Sequence, residues 1–147
     1  MSMRPEDEAP VVAAFSDRVA EAVERKRSQL VVGLDPRVDL LPVELRGEAV
    51  LGRAAAAAAV ERFCKGIIDV VAPYAVAVKP QAAFFEALGS DGWMALEAVS
   101  RYASEVGLLV IADGKRGDID VTARAYGEGL FGEGGDGNQS LPPTPIP

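Results

Sequence analysis

A chain of 147 residues, of which 49% are hydrophobic, is long enough and apolar enough to bury the core of a single domain. Its 22 acidic residues exceed its 15 basic residues and give a net charge of −7, which repels phosphate backbones and argues against nucleic acid as a partner. Histidine is absent, so any proton transfer would depend on Lys, Asp, Glu or Tyr.

The sequence predicts a soluble, cytoplasmic protein that does not enter a membrane. Cys64 is the only cysteine, which excludes an intrachain disulfide and a cysteine-cluster metal site and fits a reducing compartment. No apolar run approaches the roughly 20 residues of a membrane span. The start of the chain, with Glu6, Asp7 and Glu8, is too acidic for a signal peptide.

Three short apolar runs are typical of parallel strands that are buried on both faces, because a half-exposed strand would alternate apolar and polar residues. These runs cover residues 30–34, 74–78 and 108–112. Helical patterns separate them along the chain. Strand, helix, strand, helix, strand in this order predicts right-handed crossovers and a parallel sheet.

Apolar residues that recur every three or four positions predict helices before and between the strands, over residues 11–27, 51–70 and 93–106. The alanine run inside the second helix would let that helix approach a sheet closely. Residues 89–92 are predicted to break the chain before the third helix. A further short helix is expected after Thr122.

Both ends of the chain have the composition of loose polypeptide. Residues 1–10 contain two prolines and three acids and are predicted to form a disordered arm. Residues 127–137 contain six glycines and residues 141–147 contain four prolines, so residues 132–147 are predicted to form a disordered tail. A glycine-rich loop can cradle phosphate, but this one carries three acids and lacks a Walker-type lysine and serine.

Polar residues follow each predicted strand, at the end where α/β proteins and barrels place their chemistry. Asp35 follows the first strand, Lys79 the second, and Asp113 and Lys115 the third, with Asp118 three residues later. Asp113 and Lys115 would leave the same face of a continuing strand, roughly 7 Å apart. The pattern predicts a site built from carboxylates and ammonium groups.

Each of these residues also has a purely structural interpretation. Asp35 precedes a proline, which is typical of an Asx turn. Lys79 could be a solvated surface lysine. The triplet Asp113, Lys115 and Asp118 could form a surface salt bridge on a loop. The apolar strands directly ahead of Lys79 and of the triplet favour a site over the last two alternatives, whereas for Asp35 the residues alone favour the turn.

Three motifs resemble those of the orotidine 5′-phosphate decarboxylase family. Asp113-Gly114-Lys115-Arg116-Gly117-Asp118, with Ile119 and Thr122 behind it, closely resembles the family's active-site strand, Asp-x-Lys-x-x-Asp. Val32-Gly33-Leu34-Asp35-Pro36 is similar to the family's first strand, and Val78-Lys79-Pro80-Gln81 with Ala83-Phe84-Phe85-Glu86 is similar to its second. The resemblance covers residues 11–131 and is nearest to the bacterial type 2 branch.

The fold that this resemblance implies is α/β, of the TIM (β/α)8 barrel family. A complete barrel needs about 250 residues. Residues 11–131 are therefore expected to form the N-terminal half of a barrel, roughly its first three βα units, with the helix over 11–27 closing the bottom.

The activity that the resemblance implies is conversion of orotidine 5′-monophosphate to UMP and CO2 in pyrimidine biosynthesis, by a carboxy-lyase without a cofactor or metal. In that case Lys115 would donate a proton to C6 of the pyrimidine and stabilise the developing anion. Asp113 would lie close to the departing carboxylate, and Asp118 would complete the charge array.

The resemblance also assigns substrate-binding residues and a partner. Asp35 and Lys79 would contact the ribose and join the charge network of Asp113. Asp118 and Thr122 would reach the site of a neighbouring subunit, so the implied working unit is a homodimer.

Two other functions are compatible with the same sequence. A sugar-phosphate aldolase or decarboxylase of the same superfamily would share Asp-x-Lys-x-x-Asp but would use magnesium; the segment Lys79-Pro80-Gln81 favours the nucleotide enzyme. Alternatively, the chain is an inactive truncated fragment or a dimerising partner for intact subunits, since the phosphate-gripping segments of the family are not recognised after Phe131.

Overall fold

The computed structural model describes residues 13–131. The predicted arm over 1–10 and the predicted tail over 132–147 lie outside the described residues. The elements in chain order are α1 Phe15–Lys26, β1 Leu30–Leu34, a 3-10 turn Val38–Leu40, α2 Val43–Ala49, α3 Arg53–Val71, β2 Ala75–Pro80, α4 Ala82–Glu86, α5 Gly89–Glu105, β3 Leu109–Val110 and α6 Asp120–Phe131.

The strands form a parallel sheet in the order β1-β2-β3, so β2 is the central strand of the described part. In the register, Val32 pairs with Val78, which in turn pairs with Val110. The predicted α/β class and the predicted parallel sheet are both confirmed. β3 is shorter than the apolar run that predicts it, although Ile111 N still donates to Val78 O at 2.9 Å.

Helices α3 and α5 cover one face of the sheet. Val78 of β2, Val60 and Ile68 of α3 and Val99 of α5 are all fully buried there, together with the ring of Phe85. Three alanines of α3 lie in the same core: Ala56, Ala57 and Ala59. Small side chains at the contact let the helix axis approach the sheet closely, as the alanine run predicts.

Helix α1 packs on the opposite face. Ala22 is buried against Val76 and Ala77 of β2. At the end of the helix, Lys26 Nζ donates to the carbonyls of Ala72 and Ala75, each at 2.7 Å. These carbonyls precede or begin β2, so α1 lies across the N-terminal end of the central strand. This is the position expected of a helix that closes the bottom of a barrel.

The predicted break over residues 89–92 is wrong, because these residues form the first turn of α5. The chain reverses at Ala87 and Leu88, and Gly89, with a φ of 67°, follows in the left-handed region that glycine tolerates. Gly92 is helical and buried, and a Cβ atom on it would lie 1.8 Å from Phe85 O. Gly92 therefore serves close packing of α5 against α4.

Two helices, α2 and α4, and the 3-10 turn were not predicted from the sequence. They have only three to seven residues each, which is too short for a helical period to be recognised. Within residues 13–131, no helix combines the length and the apolar character that crossing a membrane requires.

Candidate active site

The candidate site lies where the three parallel strands end. Asp35 follows β1 directly, Lys79 is the penultimate residue of β2, and Asp113 follows β3 after a short extension. Gly33 pairs with Lys79 in the sheet, and an isolated parallel bridge pairs Gln81 with Asp113. The carboxyl ends of neighbouring parallel strands share one edge, so these residues meet at the C-terminal face of the sheet.

Asp113 is the centre of the charge network. Its Oδ2 atom accepts hydrogen bonds from Lys79 Nζ at 2.7 Å and from Gln81 Nε2 at 3.1 Å, and its Oδ1 atom accepts one from Lys115 Nζ at 2.5 Å. The Asp113 side chain is only 19% exposed. One carboxylate is thereby enclosed by two ammonium groups and an amide.

These contacts perturb the pKa values of the network. The hydrogen bond from Lys115, followed by that from Lys79, lowers the pKa of Asp113 to about 2, with desolvation acting in the opposite direction. The hydrogen bond to Asp113 raises the pKa of Lys79, and the negative charges of Asp113 and Asp35 add to this effect against desolvation. At neutral pH the structure therefore holds a carboxylate and an ammonium group at fixed positions.

Main-chain hydrogen bonds also hold Asp113 in place. Asp113 N donates to Pro80 O at 3.1 Å, and Ala82 N donates to Asp113 O at 3.1 Å. Gln81 N also donates to Leu34 O at 3.0 Å, which ties the end of β2 to the end of β1. The segment after β2 thus connects both neighbouring strand ends at the site.

Asp35 lies at the border of this network. Its side chain is exposed, and its negative charge helps to raise the pKa of Lys79. The turn after it is closed by Arg37 N, which donates to the main-chain carbonyl of Asp35 at 2.9 Å. A Cβ atom on Gly33 would lie 3.0 Å from Asp35 Oδ2, so the glycine leaves room for the carboxylate.

Lys115 lies on a loop without regular structure between β3 and α6. Its side chain is 75% exposed and its ammonium group contacts Asp113. An exposed lysine with its charged end held at the site can meet a ligand that enters from solvent. The expectation that a continuing strand carries both residues is wrong, because β3 ends at Val110; the loop nevertheless brings the two side chains together.

Asp118 and Thr122 lie apart from the network within one chain. Asp118 Oδ1 accepts a hydrogen bond from Ile119 N at 2.9 Å, just before α6. Thr122 is exposed on the first turn of α6. Ile119 and Val121 beside them are 76% and 78% exposed, so apolar side chains accompany the two polar ones on this surface.

Three residues in or beside the charge network, Gln81, Glu86 and Arg116, were not predicted as site residues. Gln81 was detectable, since it follows Lys79 by two positions and a continuing strand would place both side chains on one face. Arg116 and Glu86 form an ion pair with each other across 30 sequence positions. No local spacing connects those two residues, so only the fold reveals their contact.

The arrangement suits chemistry in which an anion forms or departs. Lys79 and Lys115 present positive charge on both sides of Asp113, and their positions are set before any ligand binds. Preorganised charges of this kind stabilise a developing charge without further reorganisation. The same ammonium groups can donate protons, a role for which this chain has no histidine.

Comparison with known proteins assigns most of the chain to the family that its motifs resemble. The family model described as "Orotidine 5'-phosphate decarboxylase / HUMPS family" matches residues 28–138. An orotidine 5′-phosphate decarboxylase of Rhodopirellula baltica is 46% identical over 119 residues, which cover 80% of this chain and 39% of that protein. One of Deinococcus radiodurans is 42% identical over 118 residues, which cover 80% and 39%.

Solved structures agree with the sequence comparison. The structure of Leishmania donovani OMP decarboxylase matches 81% of this chain and 40% of its own, with a TM-score of 0.63 and 41% identity. The structure of Leishmania donovani UMP synthase matches 82% of this chain and 23% of its own, with a TM-score of 0.65 and 40% identity.

The chain spans about two fifths of the length of the curated relatives named above. The matched part contains β1, β2 and β3 and every residue of the charge network. On the extent of the family match, the three shared motifs and the parallel α/β architecture, this chain belongs to the orotidine 5′-phosphate decarboxylase / HUMPS family.

Proposed function

We propose that this chain supplies the charged part of an orotidine 5′-phosphate decarboxylase site, which converts orotidine 5′-monophosphate to UMP and CO2. The single observation that carries the proposal is the carboxylate of Asp113, which bonds Lys79 and Lys115 at the same time. The names of the curated relatives support the reaction.

The reaction needs a positive charge that the protein holds close to the reacting carbon. Loss of CO2 leaves a carbanion at C6 of the pyrimidine, and no adjacent carbonyl or cofactor is able to delocalise it. An ammonium group near C6 would stabilise the developing anion and then protonate it. Because the ammonium of Lys115 is held by Asp113 before the substrate arrives, this stabilisation would require little reorganisation.

Within this proposal Lys115 is the proton donor. Asp113 lies beside the departing carboxylate and keeps the end of Lys115 in place. The low pKa of Asp113, about 2, means that it stays ionised throughout the neutral range and does not compete as a proton donor. The two residues therefore have separate roles, one as acid and one as fixed charge.

Lys79 and Asp35 are proposed to contact the ribose hydroxyls. Lys79 is at the end of the central strand and is half-buried, so its ammonium is presented by a rigid element. The amide of Gln81 lies beside them, because it donates a hydrogen bond to Asp113. These polar groups, clustered at one end of the sheet, would bind the sugar while Lys115 faces the base.

Asp118 and Thr122 are proposed to act in the active site of a second, identical subunit. The homodimer is proposed to work in the cytoplasm. Two observations support the role of Asp118 and Thr122. Within residues 13–131, neither side chain forms a hydrogen bond or an ion pair with the charge network of its own chain. Ile119 and Val121 are strongly exposed beside them, as apolar residues at a subunit interface would be in a single chain.

The test removes the proposed proton donor and keeps its surroundings. Residues 1–131 would be joined to the part of the Rhodopirellula baltica relative that lies outside the match, and decarboxylation would be followed by the loss of absorbance of orotidine monophosphate. Lys115→Ala should lower kcat by roughly 10² to 10⁴-fold, the usual contribution of a general acid. UMP binding should remain measurable, because the sugar contacts are retained.

The matched control is Lys65→Ala. Lys65 also forms an ion pair with an acidic residue, Glu61, but lies on α3. This variant should keep the activity of the parent. A Lys115→Ala protein that turns over at the parental rate would exclude Lys115 as the proton donor. A parent protein that binds UMP but never releases CO2 would exclude the proposed reaction.

A further inference from the structure

The loop that carries Lys115 has few connections to the rest of the described structure. The last main-chain hydrogen bonds to β2 and α4 are those of Asp113. Between residues 114 and 118 the described residues make no main-chain hydrogen bond to another element, and the next one, from Ala123 N to Ile119 O, belongs to the start of α6. The backbone at Lys115 must therefore be held by side chains.

Arg116 provides such a connection. Its guanidinium forms an ion pair with the carboxylate of Glu86 on α4 and also donates from Nη1 to Lys115 O at 3.2 Å. The Cζ atom lies 5.5 Å from the centre of the Tyr126 ring on α6, which is within cation–π range. One planar group thus contacts the helix before the loop, the helix after it and the carbonyl of Lys115 itself.

The Glu86 end of this contact is rigid. Glu86 is the last residue of α4, which follows Gln81 directly and lies just after the end of β2 that carries Lys79. Its neighbour Phe85 is fully buried in the core. Both side chains of the ion pair are partly covered, with Arg116 at 25% and Glu86 at 29% exposure. A pair held in this way restricts motion more than an exposed pair does.

We propose that Arg116 is a positioning residue for the proton donor: the Glu86–Arg116 pair fixes the backbone of Lys115 so that its ammonium stays on Asp113. Arg suits this role because its fork can bond a carboxylate and a carbonyl together while its plane faces an aromatic ring. The consequence for turnover rests on the proposed function, but the placement of Lys115 on Asp113 does not.

The alternative is an ion pair that contributes to stability alone. Arg62 and Glu48 form an Arg–Glu pair that joins α3 to α2 and serves as the control, although its side chains are more exposed, at 53% and 52%. That pair has no contact with the charge network. Neutralising Glu48 removes the same charge from the same kind of pair and therefore controls for general effects on stability and net charge.

The experiment follows the side-chain carboxyl of Asp113 by carbon NMR in the full chain, from pH 7 down to about pH 1, while circular dichroism monitors folding. The charged groups that face Asp113 are Lys79 and Lys115, with Asp35 acting through Lys79. Lys115→Ala sets the reference, because it removes the first cause of the low pKa. The titration of Asp113 should move to higher pH in that variant.

The direction in which Glu86→Gln changes the pKa of Asp113 distinguishes the two explanations. Removal of a negative charge near the site would by itself lower the pKa of Asp113 or leave it unchanged. Loss of the position of Lys115 would raise that pKa. We expect Glu86→Gln to raise it by at least half of the increase that Lys115→Ala produces, and Glu48→Gln to leave it unchanged. If Glu86→Gln does not fold, Glu86→Ala is titrated in its place, because it removes the same negative charge and keeps the sign of the direct effect.

A titration of Asp113 in Glu86→Gln that matches the parent, or moves downward, would overturn the proposal. A parental titration in Lys115→Ala would also overturn it, because Lys115 would then not be on Asp113 at all. In the fused enzyme, Glu86→Gln should lower kcat by roughly 10 to 100-fold, with KM changed far less, as expected for a misplaced acid. Absence of turnover in the parent would count against the proposed function and leave the NMR result to decide this one.

Discussion

Gly92→Ala tests the packing that places α4 beside the site. A Cβ atom at this position would lie 1.8 Å from Phe85 O and 2.8 Å from Leu88 Cβ. The first contact is to a main-chain atom of α4, so it cannot be relieved by rotating a side chain. The Cβ atom and Phe85 O would have to move apart from 1.8 Å to at least 3.4 Å to reach ordinary contact.

The magnitude follows from two opposing effects. Overpacking of a core costs typically 1–3 kcal/mol, and a main-chain clash places this site at about 3 kcal/mol. Alanine is favoured over glycine inside a helix by up to about 1 kcal/mol. The expected net loss is about 2 kcal/mol in the free energy of unfolding. For a chain of this size that corresponds to a fall in Tm of roughly 8 °C.

The assay is urea and thermal unfolding of the full chain, with Gly66→Ala as the matched control. Gly66 also lies within a helix, α3, but a Cβ atom there would meet nothing within 4 Å. This substitution should stabilise the chain by about 0.5–1 kcal/mol through helix propensity and reduced freedom of the unfolded chain. A Gly92→Ala protein that is as stable as Gly66→Ala would refute the close approach of α4 and α5.

Two further predictions concern the charge network and the subunit boundary. The pKa of Asp113 is depressed to about 2, so its contribution to stability is present above about pH 4 and is lost as the pH falls toward 2. Asp113→Asn should therefore lose less stability between pH 7 and pH 3 than the parent does, measured by urea midpoints; equal losses would contradict the low pKa. Mixing Lys115→Ala and Asp118→Ala forms of the fused enzyme should restore activity through one intact site per heterodimer, and verified heterodimers without activity would count against Asp118 acting in a second subunit.

The positions of the strands were predictable from their apolar runs, but the expected burial on both faces holds only for β2, because Leu30 and Val31 of β1 are exposed and β3 is only partly buried. Residues 30–34 form β1 with the predicted bounds, since an uninterrupted apolar run that ends at Asp35-Pro36 leaves little choice. α3 differs from the predicted helix by two residues at its start and one at its end. β3 is shorter than its apolar run because Ile111 is bonded to β2 in an irregular extension toward Asp113.

The candidate site was predictable where it depends on strand ends and not where it depends on packing between elements. Lys79, Asp113 and Lys115 lie together as the motifs predict. The Glu86–Arg116 pair joins residues 30 positions apart, and α4, which carries Glu86, has only five residues. Neither the pair nor the short helix leaves a periodic signal in the sequence. The roles of Asp118 and Thr122 stay predictions, because a single chain does not test them.

Helix α4 connects the core to the site. Ala82 at its start donates its amide to Asp113 O, and Glu86 at its end holds Arg116. Between them, Phe85 is buried in the core, and its carbonyl lies where any side chain at position 92 would be. A displacement of α4 would therefore move both supports of the charge network together. The packing at Gly92 and the placement of Lys115 then both depend on the contact between α4 and α5. This shared dependence explains how a helix of five residues can position a residue on a loop that makes few main-chain hydrogen bonds.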